Sequence, residues 1–261
     1  MRNEEKSVSI QSISDNLSPK EAISHLSKGF DINLSQFKGK NEKLELLDEA
    51  IDSHNGNAIT IAVLHLNRTI KASIFNQELK KRSLAADHYI FYLKENQRTN
   101  ELIDVLSMLN RHEEAAITAY TQAISCSNVE TKIYNLKNCL RNHFSTGGNE
   151  IVFWRDFIAE EISLLEQQLP IEADDKRQER NALNSLFEQI PRTPITDTPV
   201  ISTLYYCCLY HYSLPENHLA SPKAISKTFQ LSQKQFIWTA LSALALCKQW
   251  TQIDALFEYK V

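Results

Sequence analysis

The stretch Ile59-Thr60-Ile61-Ala62-Val63-Leu64-His65-Leu66-Asn67-Arg68-Thr69-Ile70 decides the fold class. Ile59, Ala62, Val63, Leu66 and Ile70 fall at i, i+3, i+4, i+7 and i+11, the spacing that lays one apolar stripe along an α-helix. Ile61 and Leu64 carry apolar surface nearly all round, so this helix is expected to be buried between neighbours. Working upstream, Leu44, Leu46, Leu47 and Ile51 form one face of a helix beginning near Glu42, with Asn55-Gly56 read as its left-handed stop. Working downstream, one helical stretch is predicted from Ile74 to Asn96. A helix with Leu102, Val105, Leu106 and Leu109 follows, then the turn Asn110-Arg111-His112. Ala115, Ala116, Ala119 and Ala123 come next, small enough for close helix approach, and residues 129–144 are helical again, stopping at Thr146-Gly147-Gly148-Asn149.

Ile151, Trp154, Ile158, Ile162, Leu165 and Leu169 make a further stripe. Pro170 is expected to bend the chain into a separate charged helix that starts Glu172-Ala173-Asp174-Asp175, with Leu183, Leu186, Phe187 and Ile190 packing back on the stripe. Pro191, Pro194 and Pro199 disfavour helix through Thr198 and give the best internal boundary, at 191–199. Beyond it lie helices over Val200–Tyr212, after Ser221-Pro222, over Gln233–Cys247, and one with Trp250, Ile253, Leu256 and Phe257.

Helices joined by turns this short must pack mostly as antiparallel neighbours. The helix–turn–helix unit recurs roughly every 35–45 residues, the range of stacked helical repeats. Only five glycines occur, so the hairpin and phosphate-loop machinery that needs positive backbone angles is scarce. The sequence reads as all-α: an irregular α-solenoid of antiparallel helix pairs over 42–261, preceded by a serine-rich, mostly disordered tail over 1–41. Within that tail, Ser18-Pro19-Lys20-Glu21 is the one helix start, with serine as cap, proline at the first position and glutamate reaching back.

A net charge of -4 with both signs interspersed argues against nucleic-acid binding. The Lys80-Lys81-Arg82 run reads as a solvated helix face. Five cysteines, Cys126, Cys139, Cys207, Cys208 and Cys247, have no framework spacing and suggest free thiols in a reducing compartment. Neither a secretory signal nor a membrane-spanning run is read from the sequence, so a cytoplasmic protein that meets membranes only through partners is expected. Cys208 and His211 sit three apart, a metal half-site without the other ligands zinc needs. Glu172, Asp174 and Asp175 read as acids at a helix start, favoured by the positive dipole end. No nucleophile elbow, phosphate loop or dinucleotide fingerprint occurs, so no catalytic residue, cofactor or metal is assigned. Tyr205, Tyr206, Tyr210, Tyr212, Phe236 and Trp238 stand out as aromatic residues of the kind enriched at interfaces, against a solenoid-core alternative.

The segment from Leu46 to Ile59 resembles the start of the shared region of the VIPAR family of Vps-sixteen-like vesicle-tethering subunits, also known as Vps sixteen-B. The likeness continues through Ile171-Glu172-Ala173-Asp174-Asp175, Pro199-Val200 and Thr203-Leu204-Tyr205-Tyr206. It runs on through Ser221-Pro222, Lys227-Thr228-Phe229, Lys234-Gln235-Phe236, Thr239-Ala240-Leu241, Trp250 and Ile253-Asp254-Ala255-Leu256-Phe257, covering about 42–257. The resemblance implies an α-solenoid that pairs with a Sec1-type SNARE regulator, Vps thirty-three-B, in endosomal and lysosomal trafficking, phagosome maturation and polarity. It also implies an association with a Rab-eleven-type GTPase on recycling endosomes. The family carries a longer N-terminal extension and continues past the block at 253–257, so a truncation at the C-terminal end is expected. The partner surface is expected on the helix over Gln233–Cys247 and its neighbour, with Lys234, Gln235, Trp238, Tyr206 and Tyr210. The alternative is a general helical-repeat adaptor that binds peptide or cargo segments in a solenoid groove.

Overall fold

A computed structural model describes residues 17–145, 149–181 and 185–258; among them run fourteen α-helices and one 3-10 turn, and no strand. The all-α reading holds, and consecutive helices stack in the manner of a solenoid within each of two compact units, 1–118 and 119–261. The predicted Leu183, the glycine pair at 147–148 and the serines before Leu17 lie outside the described residues.

The first unit contains α1 (Pro19–Ser27), a 3-10 turn (Leu34–Gln36), α2 (Lys40–Asp52), α3 (Gly56–Thr69), α4 (Ala72–Lys81), α5 (Ser83–Glu95), α6 (Thr99–Met108) and the start of α7 (His112–Ile124). The start at Ser18 is as read: its hydroxyl accepts from the Glu21 amide, and the Glu21 carboxylate accepts from the Ser18 amide. The tail expected over 1–41 is corrected in its later part. Ala22, Ile23 and Leu26 of α1, with Leu34 and Phe37, belong to the same buried cluster as Leu46, Val63 and Leu66. Three apolar residues on one face of a nine-residue helix suffice once α2 and α3 cover them.

Two further boundaries differ from the sequence reading. Asn55 does not stop α2; its side chain caps α3 by accepting from Ala58 N, and the left-handed residue is His54. The stretch 74–96 is two helices, broken at Arg82. The Arg82 guanidinium is held by both carboxylate oxygens of Asp48 at 2.6 and 2.9 Å and by Glu78 at 2.7 Å. That bidentate grip fixes the corner between α4 and α5 against α2. Tyr89 ties the core together: its hydroxyl donates to Glu101 and accepts from Asn67.

One terminator recurs along the chain. At Gly29, Gln97, Asn110, Gln230 and Lys248 the backbone turns left-handed, and the next amide reaches back five residues. The bonds run from Phe30 to His25, Arg98 to Leu93, Arg111 to Leu106, Leu231 to Ser226 and Gln249 to Leu244, at 2.9–3.1 Å. This is the Schellman closure, which satisfies the last free carbonyls of a helix. Only one of the five uses glycine, so the scarcity of glycine did not remove left-handed stops from this fold.

The second unit holds the rest of α7, then α8 (Val129–His143), α9 (Asn149–Arg180), α10 (Ser185–Gln189), α11 (Val200–Tyr210), α12 (Pro222–Thr228), α13 (Gln233–Leu246) and α14 (Trp250–Glu258). Pro170 does not end a helix: α9 runs through it for 32 residues. Pro170 is exposed, and the residues around it bury polar groups that hold the next segment, which outweighs the one backbone hydrogen bond a proline removes. The proline-rich segment at 191–199 lies inside this unit, and the division falls at Thr118–Ala119 instead. It is no loose hinge because its amides and carbonyls are anchored to α9, as described next.

Candidate partner-binding surface

Four residues per turn-and-a-bit along α9 put Gln168, Glu172 and Asp175 on one inward face. Gln168 is saturated: its amide nitrogen donates to Thr198 O at 2.8 Å and to Thr203 Oγ1 at 2.7 Å, and its oxygen accepts from Asp197 N at 2.9 Å. Glu172 accepts from Ile195 N at 2.8 Å and from Arg192 at 3.0 Å, while Arg192 also donates to Glu179 at 2.8 Å. Burial alone would raise the Glu172 pKa, but the Ile195 amide, Arg192 and Lys176 together hold it below the ordinary value. Asp175, 1% exposed, accepts from the Tyr206 hydroxyl at 2.7 Å, and His211 Nε2 lies 3.0 Å from the same oxygen.

These contacts correct the reading of Glu172 and Asp175 as acids at a helix start. They lie in the last third of α9 and act as buried anchors. The Cys208–His211 pair likewise forms no metal half-site, because His211 is turned to Asp175, and no cluster of three metal-binding side chains occurs among the described residues. Burial pushes the Cys208 thiol up to about 12. A thiol so held is an inert core group at neutral pH.

The expected partner residues separate into two groups. Tyr206 and Tyr210 are 4% and 8% exposed, pack with tilted rings whose centroids lie 4.8 Å apart, and spend their hydroxyls on Asp175 and on the Ile190 carbonyl. They are core residues whose ring edges only floor the groove beside them. Lys234 and Trp238 are exposed on α13, Trp238 by 61%. Gln235 is exposed too, but its side chain closes the α13 capping box by accepting from Ser232 N at 2.9 Å and Ser232 Oγ at 2.7 Å. The groove between α11, α13 and the proline segment has a volume of about 710 Å³, with Ile201, Tyr205, Trp238 and Leu246 on its walls.

The sequence reading missed a second aromatic surface. Phe153 and Phe157 project from α9 off the core stripe and meet Trp154 and Tyr120 at ring separations of 5.9–6.3 Å. Their i, i+4 spacing, displaced from Ile158 and Ile162, was the available signal.

The family described as Vps16, C-terminal region matches residues 34–181, more than half of the chain. The chain belongs to the Vps16 C-terminal-region family. Similar proteins include a Danio rerio "Spermatogenesis-defective protein 39 homolog", 38% identical over 94% of this chain and 49% of its own length. A Mus musculus protein of the same description is 34% identical over 95% of this chain and 49% of its own. The Caenorhabditis elegans "Spermatogenesis-defective protein 39" is 22% identical over 92% of this chain and 45% of its own. This Vps16-family chain therefore spans about half the length of the curated relatives it matches, and the matched stretch runs through the α9 anchors Gln168, Glu172 and Asp175.

Proposed function

We propose that this chain is a non-catalytic scaffold subunit of an endosomal and lysosomal vesicle-tethering complex. It docks a Sec1-type SNARE regulator, Vps thirty-three-B, and through that partner supports vesicle traffic, phagosome and lysosome maturation and polarity. The observation that carries the reading is the Vps16 C-terminal-region match on a chain whose described residues form helices and no strand. The absence of any described helix long and apolar enough to cross a membrane fits attachment to endosomes through partners, among which a Rab-eleven-type GTPase belongs to the same proposal.

The contact surface we assign is the exposed edge of α13, with Lys234 and Trp238 at its centre and Gln235 at its cap. Tyr206 and Tyr210 contribute rigidity from beneath. An exposed tryptophan next to a lysine on a well-anchored helix has the makeup of an interface hot spot, whose truncation costs about 2 kcal/mol or more. The test is co-purification of the tagged chain with the Sec1-type partner. Trp238→Ala, and separately Lys234→Glu with Gln235→Glu, should weaken recovery while helical content stays constant, since glutamate serves the capping box as well as glutamine. Full recovery with both variants removes the assignment. The proline-flanked groove favours the second reading, a helical-repeat adaptor for peptide segments, and diverse short ligands without a stoichiometric Sec1-type partner would select it.

A further inference from the structure

The groove between α11, α13 and the proline segment gives hydrogen bonds more readily than it accepts them. No acidic, basic or amide side chain lines it. The hydroxyls of Thr198 and Ser242 already donate to the carbonyls of Ile195 and Trp238. The carbonyls of Ile190, Ile195 and Thr198 are taken as well. Two aromatic donors are left over, one on each helical wall. The Tyr205 hydroxyl of α11, on a half-buried ring, and the indole N–H of Trp238 on α13 have no hydrogen-bond partner among the described residues. A charged segment would find no counter-ion on these walls, and a segment rich in amide N–H groups would find few acceptors for them. The chain itself shows what the tyrosine face takes. The Tyr210 hydroxyl donates at 3.1 Å to the Ile190 carbonyl, the one that directly precedes Pro191.

We propose that this groove binds an uncharged, proline-rich segment of a partner protein in the polyproline II conformation. Proline has no amide N–H, and polyproline II makes no internal hydrogen bonds, so such a segment offers carbonyls and asks for no acceptors. That is the complement of these walls. Tyr205 and Trp238 each donate to a peptide carbonyl, and proline rings pack on the aromatic faces and on Ile201 and Leu246. The segment is stiff before it docks, so ordering it costs little. An amphipathic helix would cover the same apolar walls, but its carbonyls are spent within the helix and both donors would stay idle. The inference rests on the peptide-adaptor reading of this groove and names the peptide class; it does not depend on a Sec1-type partner.

The test adds uncharged, end-blocked peptides of equal length to the full chain: decaproline, a helix former of alanine, leucine and glutamine, and a glycine–serine coil. The chain carries three tryptophans, and the indole N–H signal that Trp238→Phe removes identifies Trp238 in the NMR spectrum. Decaproline should move that signal downfield and bind about tenfold more tightly than either other peptide, as two added hydrogen bonds imply. Tyr205→Phe keeps the ring and removes only the donor, so it should weaken decaproline binding about fivefold. Trp250→Phe, at an exposed tryptophan outside the groove, should leave the affinity within about twofold. An unmoved Trp238 signal, undiminished affinity in Tyr205→Phe, or equal binding of the helical peptide overturns the inference. Binding of the helix or the coil without decaproline overturns it too, while leaving the adaptor reading in place. Binding of none of the three overturns it as well, and the adaptor reading is then decided by its own search for short ligands.

Discussion

Glu172 and Arg192 show what a single side chain decides in this protein. The carboxylate holds the Ile195 amide and the guanidinium at once, both from a buried position, so removing its charge leaves the guanidinium dependent on a partly exposed Glu179. Glu172→Gln should lower stability by about 2–3 kcal/mol, read from denaturant midpoints. Because the folded state holds this carboxyl below its ordinary 4.5, its contribution is complete above that pH and is lost as pH falls through the lower folded value. The variant should therefore show a flatter stability profile below pH 4.5 than the parent. None of this was legible in the sequence. Glu172 and Asp175 sit two and five residues after a proline, and a proline after a helical stripe ordinarily means a new start. Only the packed chain shows that α9 continues and that its acids face inward. For Tyr206 and Tyr210 the sequence left core and contact both open, because aromatic identity does not distinguish a core ring from a contact ring; both are buried, whereas Trp238 on α13 is exposed.

The helices themselves were the legible level. Apolar spacing located α2, α3, α6, α11 and α13 to within a few residues, because the stripes reflect burial and burial is what the periodicity records. Boundaries failed where the breaking agent was long-range. Nothing near Arg82 marks a break, which depends on Asp48 thirty-four residues earlier. The ends at Asn96 and Cys247 were read to within a residue, although the left-handed residues that close them, Gln97 and Lys248, have side chains that favour neither turn nor positive angle. A non-glycine residue held left-handed costs about 1 kcal/mol or more, while glycine costs somewhat less in unfolded-state entropy. Gln97→Gly and Lys248→Gly should each raise the melting temperature slightly, by about 0.5 kcal/mol in stability. Glu95→Gly, two residues earlier and inside α5, should lose about 1 kcal/mol. At the start of α13, Ser232→Ala should cost about 1 kcal/mol through loss of the cap.

At the scale of the whole molecule, the cysteine reading is testable without any partner. All five thiols are free, and burial raises Cys139 to about 11 and Cys208 to about 12, and lifts Cys207 and Cys247 as well. Cys126 is half-buried and hydrogen-bonded only to the Asn135 amide. Alkylation of the native chain at neutral pH should therefore label Cys126 first, with all five reacting once the chain is unfolded, as peptide mapping by mass would show. Simultaneous labelling of Cys207 or Cys208 would contradict the packing of the second unit.

The glycine-free closures carry a further meaning for how the chain acquires its shape. Where a corner is dictated by local chemistry, it exists before anything docks. At Gln97, Gln230 and Lys248 the local chemistry is indifferent, so these corners arise only as neighbouring coils press together. A growing polypeptide would carry longer, undivided rods and crease late, and a short synthetic segment centred on Gln97 should remain straight in a helix-promoting solvent.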